Sequence, residues 1–313
     1  MSRNAFLAGG AGAVAALFWL TLGSTMPGAL ILVQVPLFAM GLAMGMIPAV
    51  IACGVAFLIV LVTTFGMASG ISSGMFALIA IVPVLALLHF TLQSRQGADG
   101  SVEWYPTGFI MTWLSALALG YLLASGLYFS GFDGGLEGAS ANFLKTRLSA
   151  ILTEFPAERI DAVVTLVTRF FPATALGIWQ VTVIIAGILA QGLVSRFGLN
   201  LRQFPPFSAF TLPQWIGFAL VGCMIASLAT GEIGYLGRNG AILVAIPFFF
   251  LGLSVIHAIS RGWRGRGFGL PLLYLLMMFL GWPALIVAGL GFVEQWFGLR
   301  RRFAAQANDQ EED

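Results

Sequence analysis

From Asn4 to Gln93 the chain carries no Asp, Glu, Lys or Arg, and no water-soluble fold can be built around such a stretch. A soluble domain keeps about a quarter of its residues charged to hold a hydrated surface. Here 9% of 313 residues are charged, 59% are hydrophobic, and the mean hydropathy is +0.94. The sequence therefore predicts that lipid is the solvent for most of these side chains. In lipid every backbone N–H and C=O must be paired within its own segment, which selects helices of about 20 residues.

The apolar runs cover 4–22, 28–45, 47–66, 71–93, 107–130, 172–196, 211–231 and 240–261. A last run, 268–298, is too long for one upright crossing. Gly281-Trp282-Pro283 lies near its centre, and a proline there removes a backbone donor and kinks or breaks a helix. This run is expected to form one bent helix or a hairpin of two short ones. Arg3 followed by AFLAGGAGAVAALFWL has the outline of a signal peptide, but further apolar runs follow at once, so an uncleaved first span is expected.

Basic residues on short loops orient such a bundle towards the cytoplasm. Arg196 and Arg202 share one gap, Arg261, Arg264 and Arg266 a second, and Arg300, Arg301 and Arg302 follow the last run. Reading all eight as inner-face anchors requires the final run to enter and leave on one side. The expectation is an all-α, polytopic transmembrane helix bundle of eight to ten spans in a bacterial inner membrane, with both termini cytoplasmic. Residues 1–303 form a single membrane domain and 304–313 an acidic, disordered tail. Trp104, Tyr105, Trp215, Trp263 and Trp296 lie near run ends, where amphipathic rings suit the headgroup layer.

The one long gap, 131–171, carries charges of both signs without a positive excess, as an outer segment should. Leu144, Leu148, Ile151, Leu152 and Phe155 recur at helical spacing, and beyond Pro156 so do Ile160, Val163, Val164, Val167 and Phe170. Two short amphipathic helices are expected, lying on the membrane surface, capping the bundle, or closing as a lid over a ligand cavity. Gly41 with Gly45, and Gly66 with Gly70 and Gly74, follow the small-xxx-small spacing that lets helices approach closely.

Few groups within the spans can carry chemistry. Gln34, Gln180 and Gln191 are the polar side chains most able to bond between helices or line a cavity. Asp133, Glu232, Tyr235 and Arg238 fall in two glycine-rich segments, 131–135 and 231–240, read as outer loops and as ligand contacts should those loops gate a site. Glu294, six residues before Arg300, is positioned to pair with Arg300 or Arg301 at the interface. His89 and His257 lack neighbours at metal-ligand spacing, and Cys53 and Cys223 read as small apolar side chains. No GxxxxGK[ST], HExxH or GxSxG motif occurs, and no acidic pair lies within a span. An enzyme is not expected, nor a metal or cofactor. The arginines are scattered between spans rather than gathered in a phosphate-binding patch, so nucleic acid is not an expected partner either.

Three segments resemble the YybS-like family of bacterial multi-pass membrane proteins. They are Phe210-Thr211-Leu212-Pro213-Gln214-Trp215, Gly252-Leu253-Ser254-Val255-Ile256-His257, and Gly289 through Arg300, with the sequence GLGFVEQWFGLR. That family is distantly similar in architecture to the substrate-binding membrane subunits of energy-coupling-factor vitamin transporters. The resemblance implies a helical inner-membrane protein that binds or transports a small solute. The alternative is a non-catalytic membrane scaffold that binds protein partners, suggested by the scarcity of buried charge. Lipid is the expected partner in both cases, other membrane proteins in the second, and the small-molecule ligand is not specified by either.

Overall fold

A computed structural model describes residues 3–22, 28–65, 70–97, 100–203, 210–263 and 265–302. Among the described residues the chain is all-α apart from one short β-hairpin. Six helices among the described residues are long and apolar enough to cross a membrane: Asn4–Leu22, Met46–Phe65, Ser73–Thr91, Thr107–Phe129, Phe171–Arg196 and Gly231–Ile259, or up to seven counting one bent pair. The backbone divides into two compact units, Met1–Leu114 with Ile178–Pro205, and Ser115–Gly177 with Pro206–Asp313.

In the first unit, α1 (Arg3–Leu22), α2 (Ala29–Met44) and α3 (Met46–Phe65) pack through small residues. Gly12 of α1 lies against the carbonyl of Ala52 on α3, so closely that a Cβ there would collide with it. Gly45, at φ +91°, ends α2 and lets α3 start one residue later. α2 is therefore a 16-residue helix, about 24 Å long at 1.5 Å per residue and shorter than the hydrocarbon layer.

The next span is α4 (Gly70–Phe76), a π-helical turn (Ala77–Ile81) and α5 (Val82–Thr91). Pro83 explains part of this irregularity. It has no N–H to offer the carbonyl four residues back, Ile79, so that oxygen loses its α-helical partner. After α5, β1 (Ser94–Gln96) and β2 (Val102–Trp104) pair antiparallel, and Arg95 bridges Glu103 at 2.7 Å. α6 (Thr107–Phe129) follows.

In the second unit, α7 (Gly135–Ile151) and α8 (Ala157–Thr168) form the amphipathic pair predicted for 131–171, with Pro156 capping α8. Leu144, Ile160 and Val164 make their shared core, flanked by Leu148, Leu152 and Phe171. Lys145 and Asp161 pair across it at 2.8 Å. Two residues separate α8 from α9 (Phe171–Arg196), which continues from this unit into the first at Ile178.

α10 (Gln214–Ala226) and α11 (Gly231–Ile259) are antiparallel neighbours. The segment 231–240, expected as a loop, is the first part of α11. Its glycines serve packing, since Gly237 lies against the backbone of Ala226 and Ser227, and Gly240 against Cys223 and Leu119. The final run consists of α12 (Arg266–Leu280) and α13 (Pro283–Phe297), bent by 118° at the Gly281-Trp282-Pro283 break. Gly252 of α11 sits on the backbone of Val287, and Gly291 of α13 sits on that of Phe248, so α13 runs antiparallel to α11 in direct backbone contact.

Candidate functional site

The glutamines singled out from the sequence are packed, not cavity-lining. Gln34 and Gln180 are 0% exposed and Gln191 is buried. Gln34 Nε2 donates to the Ile79 carbonyl at 3.1 Å, and Trp179 Nε1 donates to the same oxygen at 2.9 Å. The acceptor orphaned by Pro83 thus gains two side-chain donors, while Gln34 Oε1 has no hydrogen-bond partner. Gln191 Nε2 donates to the carbonyl of Arg202 at 2.9 Å.

Arg202 is itself buried, with 6% exposure. Its guanidinium donates to the carbonyl of Thr91 at 3.2 Å and to Thr107 Oγ1 at 3.3 Å, and it stands 6.0 Å from the Trp104 ring centroid. Thr91 ends α5, where a cation meets the negative end of the helix dipole. Burial pulls the Arg202 pKa down from its usual value, yet an arginine stays charged wherever the protein is folded. This residue clamps the end of one helix to the start of the next.

Of the four candidates in 131–135 and 231–240, Glu232, Tyr235 and Arg238 lie in the first part of α11, where three polar side chains tie it to the amphipathic pair. Glu232 accepts from the Leu136 N–H at 3.2 Å, at the N-terminus of α7. Tyr235, fully buried, donates to the carbonyl of Thr168 at 2.8 Å. Asn239, not singled out from the sequence, accepts from Ala173 N–H at 3.0 Å and donates to the carbonyls of Arg169 and Tyr235. Its position four residues after Tyr235 on one helix face was the available signal. Asp133 is exposed in the preceding turn, and Arg238 is half-buried without an ion pair among the described residues.

Of the basic anchors, Arg196, Arg261, Arg266, Arg301 and Arg302 are exposed, and Arg264 lies outside the described residues. Arg300 stands apart. Its Nε donates to Glu294 Oε1 at 2.7 Å, its backbone N–H to Glu294 Oε2 at 3.1 Å, and its Nη2 to the Phe210 carbonyl at 2.9 Å. The two side chains are 15% and 5% exposed. Beside them Gln295 Nε2 donates to the Pro213 carbonyl at 2.9 Å, and Gln295 Oε1 is buried without a partner.

This cluster has a defined place along α11. The end of α10 accompanies α11 near Gly237 and Gly240, while α13 accompanies it near Phe248 and Gly252. The start of α10 and the end of α13 meet between those levels, with Gly217 against Trp296 and Pro213 against Gln295. Two short helices thus abut beside the middle of one long helix, with Pro247 alongside and a buried ion pair at the joint.

Among the described residues no group of three or more His, Cys, Asp or Glu is arranged to hold a metal ion. An open groove of about 290 Å³ between α11 and α12, lined by Ile256, Ile259, Trp263, Leu270 and Leu273, is almost wholly apolar. The chain matches no family model, no curated protein and no solved structure.

Proposed function

We propose that this chain is a multi-pass protein of the bacterial inner membrane that binds a small polar solute, as a transporter or as the membrane subunit of one. The observation that carries the reading is the Glu294–Arg300 pair at the joint between α13 and α10. The stretch Asn239–Ile259 of α11 has no charged residue and measures about 30 Å, the thickness of the hydrocarbon layer. The joint beside its middle falls near mid-depth. Charges there are costly and are kept for ligand or ion pathways, and paired broken helices with ends meeting at mid-membrane form the binding sites of many carriers.

On this reading the six long helices are joined by α2, a shorter span accommodated by thinning or tilt, while α10 and α13 are the broken helices that meet at the joint. The bent pair α12–α13 starts at the Ile259 end of α11, and α13 then runs back along α11 to the joint. Exposed Arg196, Arg261 and Arg266 then lie along the inner surface, whereas Arg301 and Arg302 follow directly on the joint. The YybS-like resemblance belongs to the same proposal. A second reading, a scaffold without a ligand, is favoured by one observation: Gln34, Gln180 and Gln191 are packed into the protein.

Thermal unfolding of the purified protein against a panel of vitamins and charged or zwitterionic metabolites separates the two. A ligand-dependent rise in Tm, corresponding to about 2.7 kcal/mol of stabilisation at a hundredfold excess over Kd, that is lost in Glu294→Gln supports solute binding. No rise across the panel, with specific crosslinking to a membrane partner, supports the scaffold.

A further inference from the structure

We infer that α8 is seated in the lipid interface through a second apolar face, and that the amphipathic pair is a membrane-surface element held from below by α11. The inference rests on the membrane reading above. α8 has two apolar faces. Ile160, Val164 and Thr168 are buried against α7. On the adjoining face Val163, Leu166, Val167 and Phe170 recur at intervals of three and four residues and are 44%, 69%, 40% and 45% exposed. A stripe of this size left open to water is costly, at about 25 cal/mol for each square ångström.

The connectivity says what covers it. α8 ends at Thr168 and the long apolar helix α9 starts at Phe171, so no linker is available to lift α8 off the membrane face. The depth is fixed independently by Tyr235 and Asn239, whose bonds to the carbonyls of Thr168 and Arg169 hold the end of α8 level with the last charged residue of α11, Arg238. That level is the upper boundary of the uncharged stretch of α11. The open stripe therefore lies where acyl chains give way to headgroups, the position taken by amphipathic helices that lie in the interface. Arg159 borders the stripe on the same side of the helix and is exposed, with a stem long enough to reach a lipid phosphate. Glu158, Asp161 and Thr165 occupy the opposite, exposed side.

The test is spin-label accessibility on the full chain in nanodiscs of mixed zwitterionic and anionic phospholipid, in a background with Cys53 and Cys223 replaced by Ala. Labels are placed at Leu166→Cys and Val163→Cys on the stripe, at Glu158→Cys on the opposite side, and at Leu58→Cys on the exposed side of α3. The expected result is that labels at 163 and 166 relax with oxygen and are shielded from a water-soluble nickel chelate at least threefold more than the label at 158. Equal nickel access at 158 and 166 overturns the inference, and so does a stripe shielded from both reagents, which means a protein partner covers it. The label at 58 separates the two levels of the argument. Oxygen-rich and nickel-poor behaviour there with failure at 166 sinks only the α8 inference, whereas nickel access at 58 sinks the membrane reading itself.

Discussion

Glu294 and Arg300 form an ion pair that is the most buried of the three among the described residues. Both carboxylate oxygens are engaged by the same residue, one by its side chain at 2.7 Å and one by its backbone N–H at 3.1 Å. Gly298, in the left-handed region at φ +60°, ends α13 and turns the chain back so that this can happen. Arg300 then reaches Phe210, which leads into α10. One pair of residues thereby joins two helices that are separated in sequence by α11 and α12.

Breaking the pair one side at a time should cost more than removing both. Glu294→Gln or Arg300→Gln strands a charge in a low-dielectric site, with an expected loss of about 3–5 kcal/mol. The double substitution leaves no uncompensated charge and should be milder than the sum of the two. Unfolding in mixed micelles across the four-protein cycle checks this, and strictly additive losses would show the two groups to be independent.

Gly252→Ala and Gly291→Ala should each loosen α13 from α11, because a Cβ at either position meets a carbonyl of the facing helix. The expected cost is about 1–3 kcal/mol. Gly222→Ala, where nothing lies within 4 Å, should be neutral or slightly stabilising, since alanine favours a helix. Melting temperatures of the three variants decide it, and equal behaviour would argue against close backbone packing.

Tyr235→Phe keeps the ring and removes one hydrogen bond to Thr168, for an expected loss of about 1 kcal/mol. Asn239→Ala should cost more, since it leaves the Ala173 N–H and the Arg169 carbonyl without that partner. Both should raise amide exchange over 157–173 before they affect α13. Unchanged exchange in that segment would mean that α11 does not hold α8.

The Ile79 carbonyl has two donors, so either alone should suffice. Gln34→Leu removes one donor together with an unpaired buried oxygen and should change stability by less than about 0.5 kcal/mol. Trp179→Phe should be tolerated less well in the Gln34→Leu background than in the native protein, by about 1 kcal/mol, because only then is the carbonyl orphaned. A coupling near zero would mean that the π-helical turn satisfies this oxygen by itself.

Local chemistry made several elements readable in advance. Gly281-Trp282-Pro283 announces the bend between α12 and α13, and Pro156 the break between α7 and α8. Charge spacing brought Glu294 and Arg300 together. The location of that pair was not readable, because depth along α11 is set by the contact of Gly252 with Val287 and Gly291 with Phe248, a register between residues far apart in sequence. The glycines of 231–240 were misleading for a related reason. Glycine signals a turn in a soluble chain, whereas Gly237 and Gly240 are there to bring α10 against α11 inside a helix. Gln34 and Gln180 were legible as polar groups within spans, but the link between Pro83 and Gln34 is visible only once Ile79 is seen to face both Gln34 and Trp179.

A structure determined in a lipid nanodisc, with the bilayer boundaries visible, tests the central claim most directly. The account predicts that the Glu294 carboxylate lies closer to the midplane than to either headgroup layer, with the start of α10 and the end of α13 meeting there. Finding Glu294 and Arg300 at headgroup depth, exposed to water, would contradict it and return the pair to the role of a surface anchor.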